Sequence, residues 1–193
     1  MTGQSPQTDE NIEEQMGEEE SIKRSFRERL ADYGLLIVIA GLIVILDQWT
    51  KTLVRQSLSV GETWMPLDWL EPYVRVVNWH NTGAAFGIFQ QGGLIFTILA
   101  IVVTIFILYY FPQVPRKDWP LRVAMGMQLG GALGNLTDRL RFGAVTDFIS
   151  VGKFPVFNVA DSSISVGVAV LIVGVWISER KAKKENEEEP PGD

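Results

Sequence analysis

Asp47, Asp138, Asp147 and Asp161 each lie within or beside an apolar run of this chain. A carboxylate in such a setting costs roughly 2.5–3.5 kcal/mol on insertion scales, so each one needs a reason. Asp147 sits in Val145-Thr146-Asp147-Phe148-Ile149, a strand-like apolar setting that disfavours its charged form. Asp161 follows Asn158 by three residues, a spacing that puts both on one face of a helix. Two carboxyl groups brought together share one proton, so one can act as general base on water and the other as general acid. The chemistry that follows is peptide hydrolysis of the aspartic type. With no cysteine and one histidine, the chain lacks the parts for a disulfide scaffold, a thiolate or histidine metal cluster, or a cysteine nucleophile. No metal and no organic cofactor is expected.

The four aspartates are not equivalent. Asp138 has Arg139 beside it and reads first as half of an ion pair at a helix end. Asp47 has Lys51 at i+4, which leaves pairing and function evenly balanced. Asp147 and Asp161 have no adjacent base and are the favoured functional pair, with Asp138 as the alternative partner for Asp161. Other polar residues carry weaker signals. His80 has no nucleophile pattern around it and reads as a loop hydrogen-bonder, and Ser162 and Ser163 read as polar residues at a helix start. Asn81-Thr82-Gly83-Ala84-Ala85-Phe86-Gly87 has the make-up of a tight turn that lets backbone approach a ligand. The small residues from Gly126 to Gly134 read as helix packing, because no Lys-Ser or Lys-Thr follows them as in a phosphate loop.

The elements that must hold these residues are apolar helices. Spans are expected at about 33–50, 94–111, 121–138 and 157–177, the third rich in glycine and alanine and the fourth interrupted near its start by Asn158, Asp161, Ser162 and Ser163. The fold class expected is an α-helical integral membrane protein with four transmembrane helices and a small β-containing extracytoplasmic subdomain. Of the 17 Lys and Arg, eleven flank one side of these spans: Lys23, Arg24, Arg27 and Arg29; Arg116, Lys117 and Arg122; and Arg180, Lys181, Lys183 and Lys184. That side is cytoplasmic by the positive-inside rule, so both termini are expected there and all four aspartates fall near the outer face. Chance would scatter them over both faces.

The net charge of −6 hides this basic body, because twelve of the 23 acids lie in residues 1–20 and 185–193. The first segment, 1–29, reads as an acidic then basic cytoplasmic tail, without order at 1–20 and too acidic for a signal peptide; residues 181–193 read as a second charged tail. No nucleic-acid motif accompanies the basic residues. Outside the membrane, loops are expected at about 52–93 and 141–155. The first holds Trp64, Trp69, Tyr73 and Trp79, with Pro66 and Pro72 as breakers and strand-like alternation over 73–79. Such aromatics suit lipid headgroups.

Together these segments resemble the lipoprotein signal peptidase, or signal peptidase II, family. The matching stretches are Asp47-Gln48-Trp49-Thr50-Lys51, Asn81-Thr82-Gly83-Ala84-Ala85-Phe86, Gly134-Asn135-Leu136-Thr137-Asp138-Arg139, Val145-Thr146-Asp147-Phe148 and Phe157-Asn158-Val159-Ala160-Asp161, in the family's order over roughly 30–180. The resemblance implies an aspartic endopeptidase of the bacterial inner membrane that removes the signal peptide of a prolipoprotein just before its diacylglyceryl cysteine. It implies Asp147 and Asp161 as the catalytic dyad, with Asp47, Asn81, Asn135, Asp138, Arg139 and Asn158 supporting the dyad or binding substrate. It also implies prolipoprotein and membrane lipid as partners, and globomycin as an inhibitor. Two features depart from the pattern: the acidic tails, and a segment of only 13 residues between the dyad aspartates. A diacylated cysteine would hold the scissile bond at headgroup depth, with the signal helix lying against the glycine face of span three.

Two other classes compete. A small ion-coupled carrier calls for acids spread through the membrane depth and usually a repeat, and the sequence has neither. A non-catalytic membrane assembly protein, with glycines for packing and aspartates in ion pairs, would tolerate Asp147→Asn.

Overall fold

The computed structural model describes residues 33–65, 67, 69, 73–83 and 92–188. The expected disorder at 1–20, the basic stretch after it, both breaker prolines and Ala84 to Gly87 lie outside these residues. Helix α1 (Tyr33–Ser57) is followed by strands β1 (Thr63–Trp64) and β2 (Val74–Asn81), helix α2 (Gly93–Tyr110), helix α3 (Trp119–Phe142), strand β3 (Val145–Val151) and helix α4 (Val159–Glu188).

Unbroken aliphatic sequence makes α2 and most of α1 helical. Pro112 turns the end of α2 into a short 3-10 turn, Phe111–Gln113. Leu94, Ile98, Val102, Ile105 and Tyr109 on α2 are exposed, as are Leu35, Val38, Leu42, Ile45, Trp49 and Leu53 on α1. These are apolar faces suited to lipid contact. By length and composition α1, α2 and α4 qualify to cross a membrane. Helix α3 falls short of that composition because it carries Arg122, Gln128, Asn135, Asp138, Arg139 and Arg141, so three of the four expected spans are supported on this ground.

Helix α3 is instead the buried centre. A Cβ on Gly130 would lie 2.7 Å from Ile43 Cβ of α1, and one on Gly131 would lie 2.5 Å from the Ala160 carbonyl of α4. Small residues thus serve close packing on two sides. The glycine face expected to receive a signal helix is therefore already filled by α1 and α4. At the other end, Leu36, Ala40, Ile107, Phe111, Met125 and Leu129 form an apolar core. Arg122, counted among the bases on the cytoplasmic side, is buried there: its Nη1 donates to the Val114 carbonyl at 2.9 Å and its guanidinium covers the Phe111 ring at 4.2 Å.

The three strands form one antiparallel sheet in the order β1-β2-β3. Trp79 pairs with Asp147, His80 with Thr146 and Asn81 with Val145, and a register shift separates these from the pairing at Val76. Gly143 ends α3 in the left-handed conformation, with φ of 73°, and the chain turns directly into β3. After the turn at Gly152 the chain comes back along β3, where Phe157 exchanges backbone bonds with Ile149 at 2.8 and 3.0 Å. This tight return is how 13 residues suffice between Asp147 and Asp161. Helix α4 then runs to Glu188, so the charged tail read at 181–193 is helical over part of its length. Its Lys, Glu and Ala content explains this, since these are strong helix formers.

Candidate active site

The start of α4 is a capping box. The Asp161 backbone N–H donates to Asn158 Oδ1 at 2.9 Å, and the Asn158 backbone N–H donates to Asp161 Oδ2 at 3.1 Å. The reciprocal pair ties both side chains to the first turn of α4. Folding then brings three further groups to them. Asn135, on α3, donates from Nδ2 to Asp161 Oδ1 at 2.7 Å. Asn158 donates from Nδ2 to Asp147 Oδ1 at 2.7 Å and to Asn135 Oδ1 at 3.1 Å. Asn81, diagonal to Asp147 across the β2–β3 ladder, donates from Nδ2 to Asp147 Oδ2 at 2.9 Å.

Asp147 and Asp161 therefore come from a strand and a helix and are bridged by one asparagine side chain. Both line a cavity of about 510 Å³, together with Asn81, Phe96 of α2, and Asn135 and Arg139 of α3. Burial, and next the Asp161 carboxylate, push Asp147 up to about 7, against the hydrogen bonds from Asn81 and Asn158 and the charge of Lys51. A carboxyl group with that value keeps its proton at neutral pH more readily than an ordinary one. The pair has the parts to hold one proton between two acids at the wall of this cavity.

Asp47 and Asp138 lie behind the cavity, fully buried in an ionic cluster. Lys51 Nζ is 2.9 Å from Asp47 Oδ2 and 3.3 Å from Asp138 Oδ2, and donates to Asn135 Oδ1 at 2.9 Å. Arg55 Nη1 lies 3.4 Å from Asp138 Oδ1 and donates to Thr146 Oγ1 at 2.9 Å. Each aspartate also holds backbone: Asp47 Oδ1 accepts from the Ala160 N–H at 3.0 Å, and Asp138 Oδ2 from the Thr146 N–H at 2.9 Å. Asp138 is thus an ion-pair residue, but its partners are Lys51 and Arg55 and not the adjacent Arg139. Consecutive helix residues do not face one another, so Arg139 points elsewhere. Its guanidinium lies 5.6 Å from the Phe96 ring at the cavity wall.

Of the other sequence candidates, His80 is exposed on β2. Ser162 lines the same cavity, but its Oγ donates to the Asn158 carbonyl, and Ser163 Oγ donates to the Met127 and Ala160 carbonyls, so both hydroxyls are bound to helix backbone. Sequence reasoning missed Gln48, whose Nε2 reaches Asp47, Asp138 and the Gly134 carbonyl, each at 3.1 Å, and it missed Thr146 and Arg55. The i, i+4, i+8 spacing of Asp47, Lys51 and Arg55 was the available signal for one polar helix face. Among the described residues no group of His, Cys, Asp and Glu is arranged to hold a metal ion.

Comparison with known proteins fits this arrangement. The model of the signal peptidase (SPase) II family matches residues 39–177. The lipoprotein signal peptidase of Halalkalibacterium halodurans is 41% identical over 152 residues, covering 77% of this chain and 96% of that protein. The lipoprotein signal peptidase of Halothermothrix orenii is 36% identical over 146 residues, covering 76% and 98%. A bacterial membrane enzyme solved by the in meso method at 2.3 Å resolution is similar with a TM-score of 0.70 at 30% identity, covering 83% of this chain and 95% of that one. A second, solved at 1.9 Å, has a TM-score of 0.66 at 33% identity, covering 74% and 92%. With the match running through α1, the sheet, α2, α3 and α4, the chain belongs to the signal peptidase II family and is a peptidase.

Proposed function

We propose that this peptidase removes the signal peptide from diacylglyceryl-modified prolipoproteins, cleaving just before the lipidated cysteine, with Asp147 and Asp161 activating water. The observation that carries the reading is the bridge: a buried carboxyl group on β3 and a half-buried one on α4, each bonded to the same Asn158 and open to one cavity. In the reaction the ionised member of the pair takes a proton from water as the water oxygen attacks the scissile carbonyl. The protonated member, Asp147 at neutral pH, donates to the carbonyl oxygen. Return of that proton and transfer of the other to the cysteine nitrogen break the C–N bond and restore the pair. Arg139 hydrogen-bonds main-chain carbonyls of the substrate along the cavity wall. Asp47, Asn81, Asn135, Asp138 and Asn158 hold the pair, and no metal takes part.

In this reading α3 is the fourth crossing. Its 24 residues rise about 36 Å, enough for a hydrocarbon core of ~30 Å. The short link from α2 and the tight return into α4 make it antiparallel to both, and α1 and α4 cover its buried Asn135 and Asp138. The termini are then cytoplasmic, the membrane is the bacterial inner membrane, and the cavity lies near the extracytoplasmic face. Exposed Trp64, Trp69, Tyr73 and Trp79 suit the headgroup layer there. The substrate's acyl chains, at about 0.8 kcal/mol per buried CH₂, keep the cysteine at the same depth. Since the glycine face is filled, the signal helix enters between α2 and α4, beside Phe96, Ser165 and Val166. A carrier would need acids through the depth, whereas Asp47, Asp138, Asp147 and Asp161 gather in one cluster. Globomycin is expected to bind in the same cavity.

pH tests the shared proton. Cleavage of a diacylglyceryl prolipoprotein peptide should fall by about tenfold per pH unit above 7, as the pair loses its proton. Stability carries the same signature with a definite sign. From the ordinary value of 3.8 up to about 7, native Asp147 binds a proton that the unfolded chain has released. Stability therefore declines by about 1.4 kcal/mol per pH unit across that window and levels off above it. Thermal unfolding in detergent of wild type and Asp147→Asn should diverge in this way, the variant having the shallower slope. Parallel curves, or a rate flat to pH 9, would count against a shared proton at Asp147.

A further inference from the structure

Three asparagines turn an amide NH₂ toward the two acids, and each must be kept from rotating by half a turn. Asn81 is held because its Oδ1 accepts from the Gly83 backbone N–H at 2.9 Å. Asn158 is held because its Oδ1 accepts from the Asp161 backbone N–H at 2.9 Å. Among the described residues Asn135 has no such backbone partner. Its Oδ1 receives Lys51 Nζ at 2.9 Å and a share of the Asn158 NH₂, which also serves Asp147 and the Thr146 carbonyl. An ammonium only donates, so a rotated Asn135 would set NH₂ against NH₃⁺ and oxygen against the Asp161 carboxylate.

The same ammonium joins Asp47 to Asp138. Asp47 holds the N–H of Ala160, the residue before Asp161, and Asp138 holds the N–H of Thr146, the residue before Asp147. Lys51 is fully buried and does not line the cavity, so it does not meet substrate. We propose that Lys51 is a positioning residue of the peptidase, fixing the Asn135 amide toward Asp161 and setting the spacing of the two segments that carry Asp147 and Asp161. This rests on the reading of those aspartates as the catalytic pair.

The rival role is charge balance alone, since Lys51 lies between two buried carboxylates. Two charge-balanced pairs separate the roles: Lys51→Met with Asp47→Asn, and Lys51→Met with Asp138→Asn. Each removes one charge of either sign and keeps an oxygen for the backbone N–H it must accept. In purified full-length protein acting on a diacylglyceryl prolipoprotein peptide, we expect kcat to fall about 100-fold in both pairs. KM should stay within about twofold of wild type, because the interaction lost makes no substrate contact. A kcat within about threefold of wild type in either pair leaves charge balance as the whole role and overturns the proposal. Failure of both pairs to fold, or KM rising in step with the loss of kcat, makes Lys51 merely structural and overturns it equally. Asp147→Asn and Asp161→Asn run alongside: if they cleave, the catalytic-pair reading is what has failed; if they are dead while the Lys51 pairs are active, only the present proposal falls.

Discussion

Asp147→Asn should yield a folded membrane protein whose cleavage rate is lower by about 10⁴-fold, the upper range for loss of a positioned acid or base. Retention of the fold follows from the native state of the group. Burial and Asp161 already favour a neutral Asp147, so a neutral amide of the same size keeps the packing and gives up one accepted hydrogen bond, from Asn81 or Asn158. Loss of rate follows because an amide cannot give a proton to the scissile carbonyl oxygen and take it back. Asp161→Asn should behave alike, because an amide there cannot take a proton from water and pass it to the leaving nitrogen. Asp138→Asn is the informative contrast: its oxygen can still accept the Thr146 N–H, and its ion pairs lie behind the cavity. It should retain far more activity than either dyad variant. The check is single-turnover cleavage by each purified variant, with circular dichroism and thermal unfolding to establish the fold. An Asp147→Asn rate within tenfold of wild type, beside a dead Asp138→Asn, would move the acid role to Asp138.

Asn158 should be the next most sensitive position. Its side chain caps α4 through Oδ1 and bridges to Asp147 and Asn135 through Nδ2. Serine at this position separates the two tasks, since a hydroxyl oxygen caps a helix nearly as well but cannot reach across to β3. Asn158→Ser should unfold within about 1 kcal/mol of wild type and yet lose about 10²–10³-fold in kcat, the range for removing one preorganised donor. Asn158→Leu should lose both, with about 1 kcal/mol of stability from the missing cap in addition. If Asn158→Ser keeps its rate, the bridge does not hold the pair and the cap is the whole contribution of the residue.

Much of this site is legible in sequence because its parts are local. Asn158 and Asp161 form a capping box whose spacing can be read without a fold, and the apolar flanks of Asp147 mark it as an awkward charge. Asp47 and Lys51 at i, i+4 also announce a pair. The remainder depends on which elements meet. The unbroken apolar run ends at Leu46 and the first span reads as about 33–50, yet the helix continues to Ser57 because Asp47, Lys51 and Arg55 turn one polar face onto α3. Adjacency in sequence suggested Arg139 for Asp138, whereas the helical turn directs Asp138 to Lys51. The glycines from 126 to 134 signal close packing but not the partner, which proves to be α1 on one side and α4 on the other. Composition alone also understates α3, whose polar residues are covered by its neighbours. Only the antiparallel sheet, with Asn81 set diagonally to Asp147, reveals that three asparagines converge on two acids.

The central claim is that this cavity hydrolyses one bond, that preceding a lipidated cysteine. The most direct measurement is mass spectrometry of the products when purified wild-type protein in detergent meets a prolipoprotein peptide with and without the diacylglyceryl group, each also in the presence of globomycin. The account predicts a single cut immediately before the lipidated cysteine, much slower turnover of the unlipidated peptide, and loss of cleavage with globomycin. Intact peptide in every arm, or cleavage at other bonds regardless of the lipid, would contradict it.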